Sequence, residues 1–149
     1  MFGLFGKKYK KQADIIGAVL HEQIIDAVKE NEERANLKLQ TPFFSGYFIA
    51  FVKSGFNCLD IPMSEAENYY EYICDGIYPN KLYKIYIAQL GLVQQTKVLS
   101  KVNAFEKEFK LGGKVGLWDG NNLILWNNRA CRTNLKSYLL NQKLDYLEE

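Results

Sequence analysis

The chain has 149 residues, 48% hydrophobic and 24% charged, the composition of a globular domain able to bury about 70% of its unfolded surface. That balance excludes intrinsic disorder, collagen-like repeats and a disulfide scaffold, and the richest apolar run, Phe43 to Val52, is about half the length of a membrane-crossing helix. The net charge of +2 conceals segregation: residues 1–11 carry +4, residues 12–75 carry −7, residues 76–144 carry +8, and the tail carries −3 at Asp145, Glu148 and Glu149.

Met1 to Lys11 sets Phe2, Leu4 and Phe5 before Lys7, Lys8, Lys10 and Lys11. No apolar core with a cleavage site follows, so residues 1–11 are expected to be a basic segment, flexible or docked at the periphery, rather than a secretory signal. Phe2, Leu4, Phe5, Lys7 and Lys8 form a weak candidate for contact with an anionic membrane surface.

Residues 13–34 repeat apolar side chains at Ala13, Ile16, Val19, Leu20, Ile24, Ala27 and Val28, the spacing of a helix with one buried face. Glu22, Asp26, Glu30 and Glu33 form an acidic column on its other side. Ile15, Ala18 and Ile25 make a second apolar strip that predicts contact with another element or another subunit. Thr41 and Pro42 are an N-cap and first-turn pair, Gly55 is the expected stop, and the aromatic segment between them reads as a central buried helix, with a buried strand as the competitor. Ser64 and Glu67 form a capping box that opens a helix ending near Gly76, with Ala66, Tyr69, Tyr70, Ile73 and Cys74 inward and Glu67, Glu71 and Asp75 outward.

Asn80 is placed to cap a short helix with Leu82, Tyr83, Tyr86 and Leu90 inside and Gly91 as its stop or kink. Val98, Val102, Phe105 and Phe109 then form a narrow helical seam. Gly112, Gly113, Gly116 and Gly120 crowd into nine positions, where helical continuity is expected to break. Asp119 and Gly120 separate two apolar runs, so Val115 to Trp126 reads either as a β-hairpin or as a loop into a helix capped at Asn122. The last helix, about Asn128 to Leu144, turns Cys131, Leu135, Tyr138 and Leu139 inward. It leaves a basic ridge of Arg129, Arg132, Lys136 and Lys143 and the outward leucines Leu140 and Leu144.

Little in the sequence assembles chemistry. Cys58, Cys74 and Cys131 lack zinc-binding spacings and read as small buried hydrophobes in a reducing, cytoplasmic setting. His21 precedes Glu22, but Ile25 occupies the position where a zincin needs its second histidine, so no metal site is expected. The glycine cluster lacks the pattern of a phosphate-binding loop, and Ser45 has no nucleophile elbow around it. No cofactor is expected.

These readings combine into an all-α, compact bundle of five to six helices in a single domain, with a possible small hairpin at 115–126. Function is expected to be non-enzymatic: a cytoplasmic protein-interaction module, with a second copy of itself as one partner and a homo-oligomer as the result. Its expected surfaces are the Tyr72, Tyr78, Glu71 and Asp75 patch and the basic ridge of the last helix. Rivals are phosphate contact with nucleic acid through that ridge, and an enzyme built on His21, Glu22, Asp26 and neighbouring carboxylates.

Overall fold

The computed structural model describes residues 8–77, 104–126 and 132–144, and among these residues the fold is all-α, with six α-helices, one 3-10 helix and no strand. In chain order they are α1 (Lys10–Glu30), α2 (Glu32–Leu39), α3 (Pro42–Cys58), a 3-10 helix (Met63–Tyr69), α4 (Tyr70–Ile77), α5 (Ala104–Trp126) and α6 (Arg132–Leu139). The expected Asn80 to Gly91 helix, Val98 and Val102 lie outside the described residues, as do Phe2, Leu4, Phe5, Lys7, Tyr78, Arg129 and Cys131.

The inner face of α1 is the one its periodicity predicts, with Ala13, Ile16, Leu20, Ile24 and Ala27 fully buried. The helix does not reach residue 34. Asn31 turns extended, at φ −157° and ψ 90°, and its side-chain oxygen accepts the Arg34 amide at 3.1 Å, so a cap closes α1 and starts α2 along a new axis.

Thr41 caps α3 by accepting the Phe44 amide, and Pro42 occupies the first turn. The aromatic segment is a helix rather than a strand, burying Phe43, Phe44, Tyr47, Phe48, Phe51, Val52 and Phe56. Gly55 does not stop it. That glycine is buried inside the packed helix, and the chain instead reverses after Cys58 through Asp60, which adopts φ 61°. Ser64 is likewise not a cap, because the backbone after Pro62 winds as a 3-10 helix with no side-chain cap bond, and the α-helix begins only at Tyr70. The inward residues Ala66, Tyr69, Tyr70, Ile73 and Cys74 are nonetheless all buried.

The largest correction concerns Val115 to Trp126. There is neither a hairpin nor a helix starting at Asn122, because α5 runs unbroken for 23 residues through all four glycines. Gly112, Gly116 and Gly120 recur every fourth residue, which lines them along one helix face, and that face lies directly on α3. A Cβ at Gly112 would overlap the Phe43 carbonyl, one at Gly116 the Tyr47 carbonyl, and one at Gly46 of α3 the Phe109 carbonyl; at Gly120 it would stand 2.8 Å from Ser54. Four glycines cost a helix about 4 kcal/mol relative to alanine, and close packing of the two backbones offsets that cost.

Polar groups fasten this seam. The Tyr47 hydroxyl donates to Asp119 Oδ2 and the Asn134 amide donates to Asp119 Oδ1, each at 2.6 Å, so one buried carboxylate ties α3, α5 and α6 together. Ser54 Oγ donates to Asn121 Oδ1 at 2.5 Å. The Phe43 and Tyr138 rings stack at 3.8 Å, seating α6 against the start of α3.

The last helix ends at Leu139 rather than near residue 144. Asn141 takes φ 59°, and the Gln142 amide closes the end by donating to the Ser137 carbonyl at 2.7 Å. This turn carries Leu140 inward, to 6% exposure, and Leu144 packs half-buried against the core, so neither is an outward leucine. Among the described residues no helix is long and apolar enough to cross a membrane.

Candidate functional site

Between them, α1 and α4 leave an open groove of about 750 Å³. Its α1 wall is built from Asp14, Gly17, Ala18, His21, Glu22, Ile25, Asp26 and Lys29, which step by three and four residues and so share one helix face. Small residues make the hollow. Gly17 has no side chain, and a Cβ there would meet nothing closer than Ile73 Cγ2 at 3.8 Å. Ala13, Ile25 and Ile73 give an apolar floor with the exposed Ala18 beside it; Asp14, Glu22 and Asp26 give a rim of three carboxylates against the one ammonium of Lys29.

Tyr72 of α4 closes one end. Its hydroxyl donates to Asp14 Oδ1 at 2.5 Å, and Lys10 Nζ stands 5.9 Å from its ring centre. The hydrogen bond to the Asp14 carboxylate pushes the Tyr72 phenol up from its ordinary value, and burial and the carboxylate charge push it the same way, so it stays a donor. His21 is exposed on the same wall, at the border of the buried face where its position in the helix puts it.

The two expected interaction surfaces do not merge into one. Tyr72 lies in the groove, and Glu71 is exposed on α4 outside the groove lining. Asp75 lies on α4 and Arg132 opens α6. Lys136 points back into its own chain, with Nζ 3.0 Å from Glu30 Oε1 at the far end of α1. Arg34 Nη1 donates to the Leu140 carbonyl at 3.3 Å nearby. Asp14 and Glu30 are separated by about 24 Å of helix, so Tyr72 and Lys136 meet α1 at opposite ends. Lys143 is exposed beyond α6, and Lys8 is exposed with Nζ 5.2 Å from the Tyr9 ring centre. Part of the acidic and basic segregation is therefore satisfied inside the fold.

Of the second apolar strip, Ala18 and Ile25 line the groove while Ile15 is 50% exposed outside it. Sequence reasoning missed Gly17 and Asp14, although Asp14 stands two four-residue steps before Glu22 in the acidic column. It also missed the Tyr47–Asp119–Asn134 network, whose signal is an aspartate flanked by glycines at four-residue spacing.

The described thiols offer no activated nucleophile. Cys74 is buried, and burial pushes the Cys58 thiol up, only partly opposed by the hydrogen bond with Ser54. Among the described residues no group of three or more His, Cys, Asp and Glu side chains is placed to hold a metal ion. Comparison of the whole chain with protein-family models, characterised proteins and solved structures finds no match.

Proposed function

We propose that this chain is a non-enzymatic interaction module of the cytoplasm whose α1–α4 groove receives a short protein segment with an apolar face and flanking lysines or arginines. The observation that carries this reading is the groove itself: a preformed concavity, apolar at its floor and acidic at its rim. A helical or extended peptide would bury its apolar side chains against Ala18, Ile25 and Ile73, while Glu22 and Asp26 would select cationic flanks and speed encounter. Cys58 and Cys74 are not joined in a disulfide, which accords with a reducing compartment.

A titration with a synthetic amphipathic leucine–lysine peptide, read by calorimetry, tests this. Saturable binding is expected, weakened at least about tenfold by Glu22→Lys with Asp26→Lys and abolished by Gly17→Leu, whose side chain would occupy the hollow. Absence of binding, or binding indifferent to all three substitutions in folded variants, would overturn the reading.

The same groove gives the enzymatic rival one specific observation, the exposed imidazole of His21 beside Glu22 and Asp26. His21→Ala separates the two, since peptide affinity should survive it and proton-transfer chemistry should not.

A further inference from the structure

The outer face of α5 is as uniform as its inner one. With Gly112, Gly116, Gly120, Val115 and Asp119 turned to the interior, the exposed residues between 106 and 122, where side-chain burial is described, are Lys107, Lys110, Lys114, Leu117 and Trp118. Their spacings of three, four, three and one place them on one side of the cylinder. Leu117 and Trp118 are each 47% exposed, although α5 has a complete packing face on α3. Among the described residues of α5 no exposed carboxylate dilutes the cations. Asp119 is buried, Glu108 is half-buried, and Glu106, only 12% exposed, bends to Lys110 Nζ at 3.1 Å.

We propose that this face of α5 docks on an anionic lipid bilayer surface, with Trp118 and Leu117 entering the boundary between headgroups and acyl chains and the lysines reaching headgroup phosphates and carboxylates. Charge complementarity and the type of apolar residue together favour this occupant. Tryptophan partitions to the bilayer interface, and a lysine can lay its hydrocarbon stem along an apolar surface while its ammonium stays among the headgroups. A second copy docking on this face would bring the same cations with no exposed carboxylate on α5 to receive them. Nucleic acid would use the lysines but gain nothing from burying Leu117, and the surface is a convex helix rather than a basic cleft. Close packing on α3 holds the platform rigid before it meets a membrane, so docking orders few new groups. This proposal is independent of the α1–α4 groove and would leave that groove free for a protein segment.

Co-sedimentation of the full chain with phosphatidylcholine vesicles, with and without phosphatidylserine, is the direct test. Binding should need phosphatidylserine and weaken with salt. Lys107→Glu with Lys114→Glu should lower partitioning at least about tenfold, and Trp118→Ser about tenfold. Both changes are on the exposed face, and an unchanged circular dichroism spectrum and melting midpoint would show that the fold survives. In a Trp126→Phe background, Trp118 emission should shift to the blue on vesicle addition. Any of three results would overturn the proposal: no phosphatidylserine-dependent binding; binding unaffected by these variants but lost with Phe2→Ser and Phe5→Ser, which assigns it to the N-terminal segment; or a doubled solution mass that Trp118→Ser abolishes, which assigns the face to a second copy.

Discussion

Two glycine-bearing contacts in this fold use the same residue for opposite ends. Along the α3–α5 seam the missing side chains of Gly112 and Gly116 are replaced by the partner backbone itself, leaving no room for a methyl group. At Gly17 the missing side chain is replaced by nothing, and the nearest atom is an ordinary contact away. Spacing decides which occurs. Repetition every four residues makes a continuous trough into which a whole helix settles, whereas a lone glycine between Ala13 and Ala18 makes a local hollow that the short α4 covers only in part. The first arrangement builds the scaffold and the second leaves a surface to be used.

Substitutions at these positions should separate the two regions. The largest effect is expected from Gly116→Ala, which would drive Cβ into the Tyr47 carbonyl. A loss of at least about 3 kcal/mol in urea unfolding, or failure to fold, is expected where helix propensity alone would predict a gain of about 1 kcal/mol. Next is Asp119→Ala, which removes the buried carboxylate that accepts from both the Tyr47 hydroxyl and the Asn134 amide, with an expected loss of about 2–4 kcal/mol. Gln23→Leu should act in the opposite direction, because Gln23 is 2% exposed with neither side-chain polar atom hydrogen-bonded. A gain of about 1–3 kcal/mol, seen as a higher thermal midpoint, is expected. The smallest change should come from Gly17→Ala, a stabilisation of about 0.5–1 kcal/mol. If Gly17→Ala proved as damaging as Gly116→Ala, the contrast between a filled trough and an open hollow would fall.

Much of the fold was legible from local rules. The inward residues of α1 and of the 3-10 helix with α4 follow from periodicity, and the start of α3 follows from Thr41 and Pro42. The failures have a common cause in contacts between residues distant in sequence. Turn chemistry at Asp119 and Gly120 suggests a hairpin, yet the carbonyls of α3 make those glycines useful inside a helix, so tertiary packing overrides propensity. Asn31 and Ser64 show the converse limit. Both are capping residues by type, but only Asn31 caps, since Pro62 fixes the backbone just ahead of Ser64. For the candidate site, the acidic column and Tyr72 were readable, whereas the hollow between them depends on how α4 lies across Gly17, a relation that no local pattern encodes.

The bond between Tyr47 and Asp119 spans 72 residues of chain, and that between Ser54 and Asn121 spans 67. A glycine-rich stretch has little reason to become helical alone, and the closing of so long a loop must precede any reward for doing so. Winding of α5 and its arrival on α3 should therefore be one event, with α3 acting as the template on which a weak helix former is shaped. A peptide covering residues 104–126 is expected to give a coil-like circular dichroism spectrum in water, whereas one covering α1 should show more helix. In a ribosome-bound chain the same dependence would make α3 wait, its aromatic flank uncovered, until some seventy further residues had emerged, a vulnerable interval set by sequence distance alone.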